Sequence, residues 1–119
     1  MNREFVYFTE FDQRWKELGL DDEDLRELES YLSKNPESGD IIEGTGGVRK
    51  LRWNFKGRGK RGGIRTLYID FVRYEKTYFI TAYSKSDQDD LDAKQKKVIR
   101  AKIKLLTDEL RKNLKKKLN

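Results

Sequence analysis

The sequence predicts an α+β fold in which an N-terminal strand and a three-strand meander form a small antiparallel sheet, flanked by an N-terminal helical hairpin and a C-terminal helix. Apolar residues recur at helical spacing near both ends of the chain, and a two-residue alternation runs through 64–71. Glycine, proline and polar turns separate these stretches. At 119 residues the chain has the length of one domain with a modest core, expected to span 1–119 with a basic tail from about 112.

Each element has its own local signal. Phe5-Val6-Tyr7-Phe8 is apolar and β-prone, and Thr9 stands three residues before Asp12, which predicts a strand passing into a helix capped by Thr9. Phe11, Trp15 and Leu18 recur at i, i+4 and i+7 ahead of Gly19, giving a first helix near 10–18. Asp21 to Asp24 place carboxylates at the positive end of a second helix with the stripe Leu25, Leu28, Tyr31 and Leu32. It ends before Asn35-Pro36, because the residue preceding proline is biased out of the α region. After a loop over 37–47, Val48 to Trp53 has β character. Ile64 to Phe71 is the clearest strand, with Arg65, Leu67, Ile69 and Phe71 on one face. Tyr78 to Tyr83 follows a polar turn around Arg73–Glu75 and completes an antiparallel meander. From about Leu91 onward, Ile99, Ile103, Leu106 and Leu110 mark a basic amphipathic helix, and Lys115 to Lys117 read as a fraying end or basic tail.

Composition narrows the chemistry. Only 35% of residues are hydrophobic and 40% are charged, so a thin core lies under a heavily charged surface. The chain has no cysteine and no histidine, which excludes disulfides, thiolate nucleophiles, Cys/His metal sites and imidazole acid–base catalysis. No apolar run approaches the roughly 20 residues of a membrane span, so a soluble, cytoplasmic protein without membrane partners is expected. The net charge of +6 hides a polarised chain. Residues 1–42 carry five basic and twelve acidic side chains, whereas 43–65 carry eight basic and one acidic. The basic block, Arg49, Lys50, Arg52, Lys56, Arg58, Lys60, Arg61 and Arg65, has the density of a phosphate-binding surface, against the plainer reading of a solvated loop.

Individual motifs are less specific. Gly57 to Gly62 formally matches G-x-G-x-x-G, but the dinucleotide fingerprint needs a helix after it and a strand follows here. Gly44-Thr45-Gly46-Gly47 lacks the lysine of a P-loop and reads as a turn. Arg65 suits either an edge salt bridge or phosphate, and the fork geometry of a guanidinium favours phosphate. Tyr83 and Lys85 share the parity of Phe79 and emerge at the end of the last strand, where Tyr83 is either a core residue with a wet hydroxyl or a functional one. Trp53 is either a base-stacking surface or an edge of the core. Asp87, Asp89, Asp90 and Asp92 suit helix capping better than a divalent metal.

The run Asn35 to Ile42, then Gly44 to Trp53, then Gly59-Lys60-Arg61-Gly62-Gly63-Ile64-Arg65, then Tyr83-Ser84-Lys85 before Asp89-Asp90-Leu91, resembles the RelE/HigB-like toxins of bacterial type II toxin-antitoxin modules, in the branch described as cytotoxic translational repressors. The resemblance runs from about Phe5 to the last helix. It implies a RelE-like fold, binding in the ribosomal A site and cleavage of the mRNA there without cofactor or metal. It also implies neutralisation by an antitoxin, often a helix-turn-helix protein, through which the pair meets operator DNA. By that resemblance Lys50 and Arg52 grip substrate, Arg65 stabilises the phosphate, and Lys85 is the basic residue at the end of the last strand. Tyr83 is a further catalytic candidate, and Arg49, Lys56, Arg58, Lys60 and Arg61 are candidates for RNA or ribosome binding. A lysine acting as base needs a depressed pKa, toward which neighbouring cations push it. Two other readings use the same cations: a non-catalytic nucleic-acid-binding module, and a degenerate toxin surviving as a co-repressor.

Overall fold

The computed structural model describes residues 2–54, 63–88 and 90–118. Among these, the chain forms β1 (Glu4–Tyr7), α1 (Thr9–Glu17), α2 (Asp22–Lys34), β2 (Asp40–Ile41), β3 (Arg49–Trp53), β4 (Ile64–Phe71), β5 (Lys76–Ser84) and α3 (Ala93–Leu118), with a short 3-10 turn at Val72–Tyr74. The α+β class expected from the sequence holds, but the sheet is mixed rather than antiparallel. Its strand order is β1-β5-β4-β3-β2, and β1 runs parallel to β5, with Glu4 opposite Lys76 and Tyr7 opposite Phe79. The two intervening helices return β1's successors to the far side of the meander, which is what allows the first and last strands to run the same way.

Side-chain alternation gives the sheet two apolar faces. Ile64 and Tyr68 of β4 face α1 and α2, where they join Phe11, Trp15, Leu28, Leu32 and Phe79. Leu67 and Ile69 face α3, where they join Tyr78, Ile80, Ile99, Ile103 and Leu110. Phe79 anchors the first layer, its ring 5.0 Å from that of Phe11 and 5.6 Å from that of Tyr7. Burying a ring of this size contributes about 1.5–3 kcal/mol, so the stacked aromatics offset the low overall apolar content.

Several local devices differ from the sequence reading. Thr9 does not cap α1: Phe8 occupies the N-cap position without a side-chain hydrogen bond, because the strand runs directly into the helix. The capping box lies on α2 instead, where Asp21 Oδ1 accepts from the Asp24 amide and Asp24 Oδ2 accepts from the Asp21 amide. The loop over 37–47 contains β2, which pairs Asp40 with Lys50 and Ile41 with Arg49. Gly39 permits that pairing: at φ +80° a side chain there would place Cβ 2.4 Å from the Lys50 carbonyl oxygen. The following turn closes on Thr45, whose buried hydroxyl donates to the Ile42 carbonyl at 2.6 Å and accepts from the Val48 amide at 3.1 Å. α3 continues to Leu118 through Lys115, Lys116 and Lys117, so the expected tail is helical.

One irregularity decides which face the end of β5 presents. Leu67 lies opposite Thr81 and Tyr68 opposite Phe79, which leaves Ile80 as the extra residue of a β-bulge. Ile80 and Tyr83 therefore join the α3 side while Phe79 joins the other. The expectation that Tyr83 shares a face with Phe79 fails for this reason: an inserted residue inverts the alternation beyond it.

Candidate functional site

Cross-strand register assembles the site. Arg52 of β3 lies opposite Arg65 of β4, and Arg65 lies opposite Tyr83 of β5, so three candidate residues form one row across the central strands. Opposed residues project to the same face, here the one that carries Leu67 and packs on α3. Lys50 is two residues before Arg52 and opposite Leu67, on that same face. Like charges directly opposite in a sheet destabilise it, so the Arg52–Arg65 pairing itself costs stability. Such an arrangement is intelligible where an anion is to be received between the two guanidinium groups.

Burial grades the row. Arg65 is 3% exposed and Tyr83 6% exposed, whereas Arg52 is exposed. A guanidinium buried within the sheet has little conformational freedom left to lose when it binds. Lys50 is half-buried, and its Nζ donates to Asp90 Oδ1 at 2.6 Å across 40 residues of sequence. The neighbourhood of Lys50 thus includes a carboxylate, which the sequence reading of a lysine surrounded by cations lacked. Asp90 is held below the usual carboxylate range, first by the Lys50 hydrogen bond and then by the charge of Lys50, with Lys96 and Arg52 adding to it. Beside Tyr83 a cavity of about 260 Å³ opens between α1, β5 and α3, lined by Phe8, Ile80, Leu91, Ile99 and Gln88 among others.

Other candidates fall elsewhere. Lys85 is exposed in the turn after β5, at the same end of the sheet as the row. Arg49 projects to the opposite face with Leu51, and its guanidinium donates to the carbonyls of Glu37 at 2.9 Å and Gly39 at 3.0 Å. Tyr68 supports the same turn, donating to the Ser38 carbonyl at 2.6 Å, and burial pushes its phenol well above the ordinary tyrosine range. Parity alone separates Arg49 from Lys50 and Arg52, so this distinction was available in the sequence. Trp53 also lies on the α2 side, its ring centroid 4.7 Å from that of Tyr31. Lys56, Arg58, Lys60 and Arg61, with the glycine motif at 57–62, lie outside the described residues, as does Asp89. The described flanks of that segment are β3 and β4, strands on both sides.

The acidic run before α3 divides its labour. Asp92 Oδ1 accepts from the Gln95 amide at 2.8 Å and the Gln95 side chain accepts from the Asp92 amide at 3.0 Å, a capping box for α3. Asp87 accepts from the Ser84 hydroxyl at 2.9 Å. Asp90 alone of the described residues in this run reaches the row's neighbourhood, a role that capping arguments do not anticipate. Among the described residues no helix is long and apolar enough to cross a membrane.

The row therefore offers fixed and mobile cations beside a phenol, on a sheet held between two helical layers, which suits the recognition of a phosphate diester. The family model for the RelE toxin of the RelE/RelB toxin-antitoxin system matches residues 6–119. A match over nearly the whole chain shows that this protein belongs to the RelE toxin family and is the toxin of a toxin-antitoxin module, which pairs with an antitoxin.

Proposed function

We propose that this chain is a ribosome-dependent endoribonuclease that cleaves mRNA in the A site and so arrests translation. The observation that carries the reading is the cross-strand row of Arg52, Arg65 and Tyr83, with Arg65 almost wholly buried at its centre. In the proposed step the 2′-oxygen of the substrate attacks the adjacent phosphorus as its proton leaves. The P–O5′ bond breaks, giving a 2′,3′-cyclic phosphate and a 5′-hydroxyl whose oxygen takes up a proton. Arg65 and Arg52 face the non-bridging oxygens, where negative charge grows in the phosphorane, and Lys50 adds a third cation. Tyr83 and Lys85 are the side chains at this end of the sheet able to exchange the two protons. The scheme draws on side chains alone and needs no histidine.

The remaining cations of the basic block, Lys56, Arg58, Lys60 and Arg61, which lie between β3 and β4 in the sequence, contribute contacts to ribosomal or messenger phosphates in this reading. The protein acts in the cytoplasm with the ribosome as scaffold, and a helix-turn-helix antitoxin neutralises it and carries the pair to operator DNA. The test is induction of the chain in cells, with and without Arg65→Ala, while mRNA 5′ ends are mapped. In-frame cuts within translated codons that vanish in the variant are expected. No new ends from a soluble, folded wild-type protein would overturn the reading in favour of non-catalytic nucleic-acid binding.

A further inference from the structure

The phosphate site does not stand empty of anions: the protein supplies one. Asp90 is 78% exposed at its side chain and belongs to no helix or strand, yet its carboxylate sits 2.6 Å from Lys50 Nζ. Arg52 and Lys96 also act on it through charge. Its neighbours explain its reach. Gln88 Nε2 donates to the Asp90 carbonyl at 3.0 Å and to Gln95 Oε1 at 2.9 Å, and Gln95 belongs to the capping box that starts α3. The backbone of residue 90 is thus tied to the start of a long helix while its carboxylate is aimed at β3.

A carboxylate at hydrogen-bond distance from Lys50 occupies the position that a phosphate oxygen would take on the same ammonium. Both are singly charged anions with two acceptor oxygens, so they compete for one donor. We infer that Asp90 is an internal stand-in for the substrate phosphate, neutralising Lys50 in the free protein and yielding it when RNA binds. The inference rests on reading Lys50, Arg52 and Arg65 as a phosphate site, and it adds a named residue that tunes the affinity of that site.

The balance of the exchange follows from exposure. An ion pair with one partner largely in water is weak and reversible. A diester phosphate that also engages Arg52 and Arg65 makes contacts beyond the single ammonium that Asp90 holds. RNA therefore displaces Asp90 at small cost. In return the free site carries a negative charge beside Lys50, and it holds stray anions less tightly.

The test measures binding of a fluorescent 2′-O-methyl RNA oligonucleotide, which lacks the attacking hydroxyl and is not cleaved, by anisotropy at low salt with the full chain. The expected result is that Asp90→Asn binds about two- to five-fold more tightly than wild type, and that the gain disappears in a Lys50→Gln background. Dependence on Lys50 is the readout that a purely structural role for Asp90 does not produce. Unchanged or weaker binding by Asp90→Asn, with Lys50→Gln still weakening the wild type, overturns the stand-in role and leaves the phosphate site in place. If Lys50→Gln has no effect on binding in either background, Lys50 is not a phosphate ligand and the inference falls with that reading.

Discussion

Replacing Arg52 by glutamine separates the two accounts of the cationic row, because they predict opposite changes. Arg52 and Arg65 are directly opposed on neighbouring antiparallel strands, so their Cα atoms are held roughly 4.5–5.5 Å apart and their charges repel. Cross-strand pair effects amount to about 0.2–1 kcal/mol, and Arg65 is too buried to relieve the repulsion by turning into solvent. At about 2.1 cal/mol/K per residue the unfolding entropy of this 119-residue chain is roughly 0.25 kcal/mol/K. Arg52→Gln is therefore expected to raise the melting temperature by about 1–4 °C at low ionic strength, with the gain shrinking as salt is added. Over the same substitution, loss of one donor to the growing phosphorane charge is expected to slow mRNA cleavage by about 100-fold. Thermal unfolding followed by circular dichroism and primer-extension mapping of cleaved transcripts report the two quantities independently. A variant that melts lower than wild type and cleaves at the wild-type rate would refute the reasoning, since Arg52 would then be a structural residue.

Two further outcomes concern the scaffold that carries the row. Arg3 and Asp70 form a bidentate pair at 2.8 and 3.2 Å, with side chains 3% and 6% exposed, and Thr77 donates to the same carboxylate at 2.7 Å. Asp70→Ala strands a buried guanidinium and is expected to cost about 3–5 kcal/mol in urea denaturation, more than Arg3→Met, which removes the cation itself. Glu29 accepts a hydrogen bond from the Tyr7 hydroxyl, and burial raises its carboxyl above the ordinary carboxylate range. The folded state then holds this proton more tightly than the unfolded state, so the contribution of Glu29 is most favourable below pH 4.5 and declines as pH rises through the folded value. Glu29→Gln is expected to flatten the fall in stability as pH rises above the ordinary carboxylate range, measured by denaturation at a series of pH values.

The sequence was most informative where periodicity acts locally. The spacing of Phe11, Trp15 and Leu18 and the Ile99–Ile103–Leu106–Leu110 stripe located α1 and α3, and all of these are buried except the half-buried Leu18 and Leu106. The alternation of Leu67 and Ile69 likewise placed Arg65 on the α3 face. What escaped was set by pairing partners. A two-residue strand such as β2 has no periodicity to detect, and it forms because Gly39 lets the chain approach the β3 backbone. The parallel seat of β1 beside β5 depends on how two intervening helices return the chain. The bulge at Ile80 has no residue signature, so the face of Tyr83 could not be read by counting from Phe79. For the site, charge density marked a block of eight cations, of which register puts Lys50, Arg52 and Arg65 on one face, but Asp90 lies 40 residues from Lys50 and only the fold brings them together.

The seat of β1 also orders the closing of the molecule. Joining Arg52 to Arg65 closes a loop of about 13 residues and Arg65 to Tyr83 one of about 18, whereas joining Glu4 to Lys76 closes about 72. With a cost that grows as the logarithm of loop length, the β1–β5 seam is about 1.5 kcal/mol dearer in chain entropy than the first of these. The meander that holds the cations is thus a near-neighbour assembly, while the edge strand waits for the whole chain between it and β5. A growing chain that has not yet released residue 76 has no partner for β1, and one that has not released residue 83 has an incomplete row. Completion of the site is in this way tied to the emergence of Tyr83, after β3 and β4 have already left the ribosome.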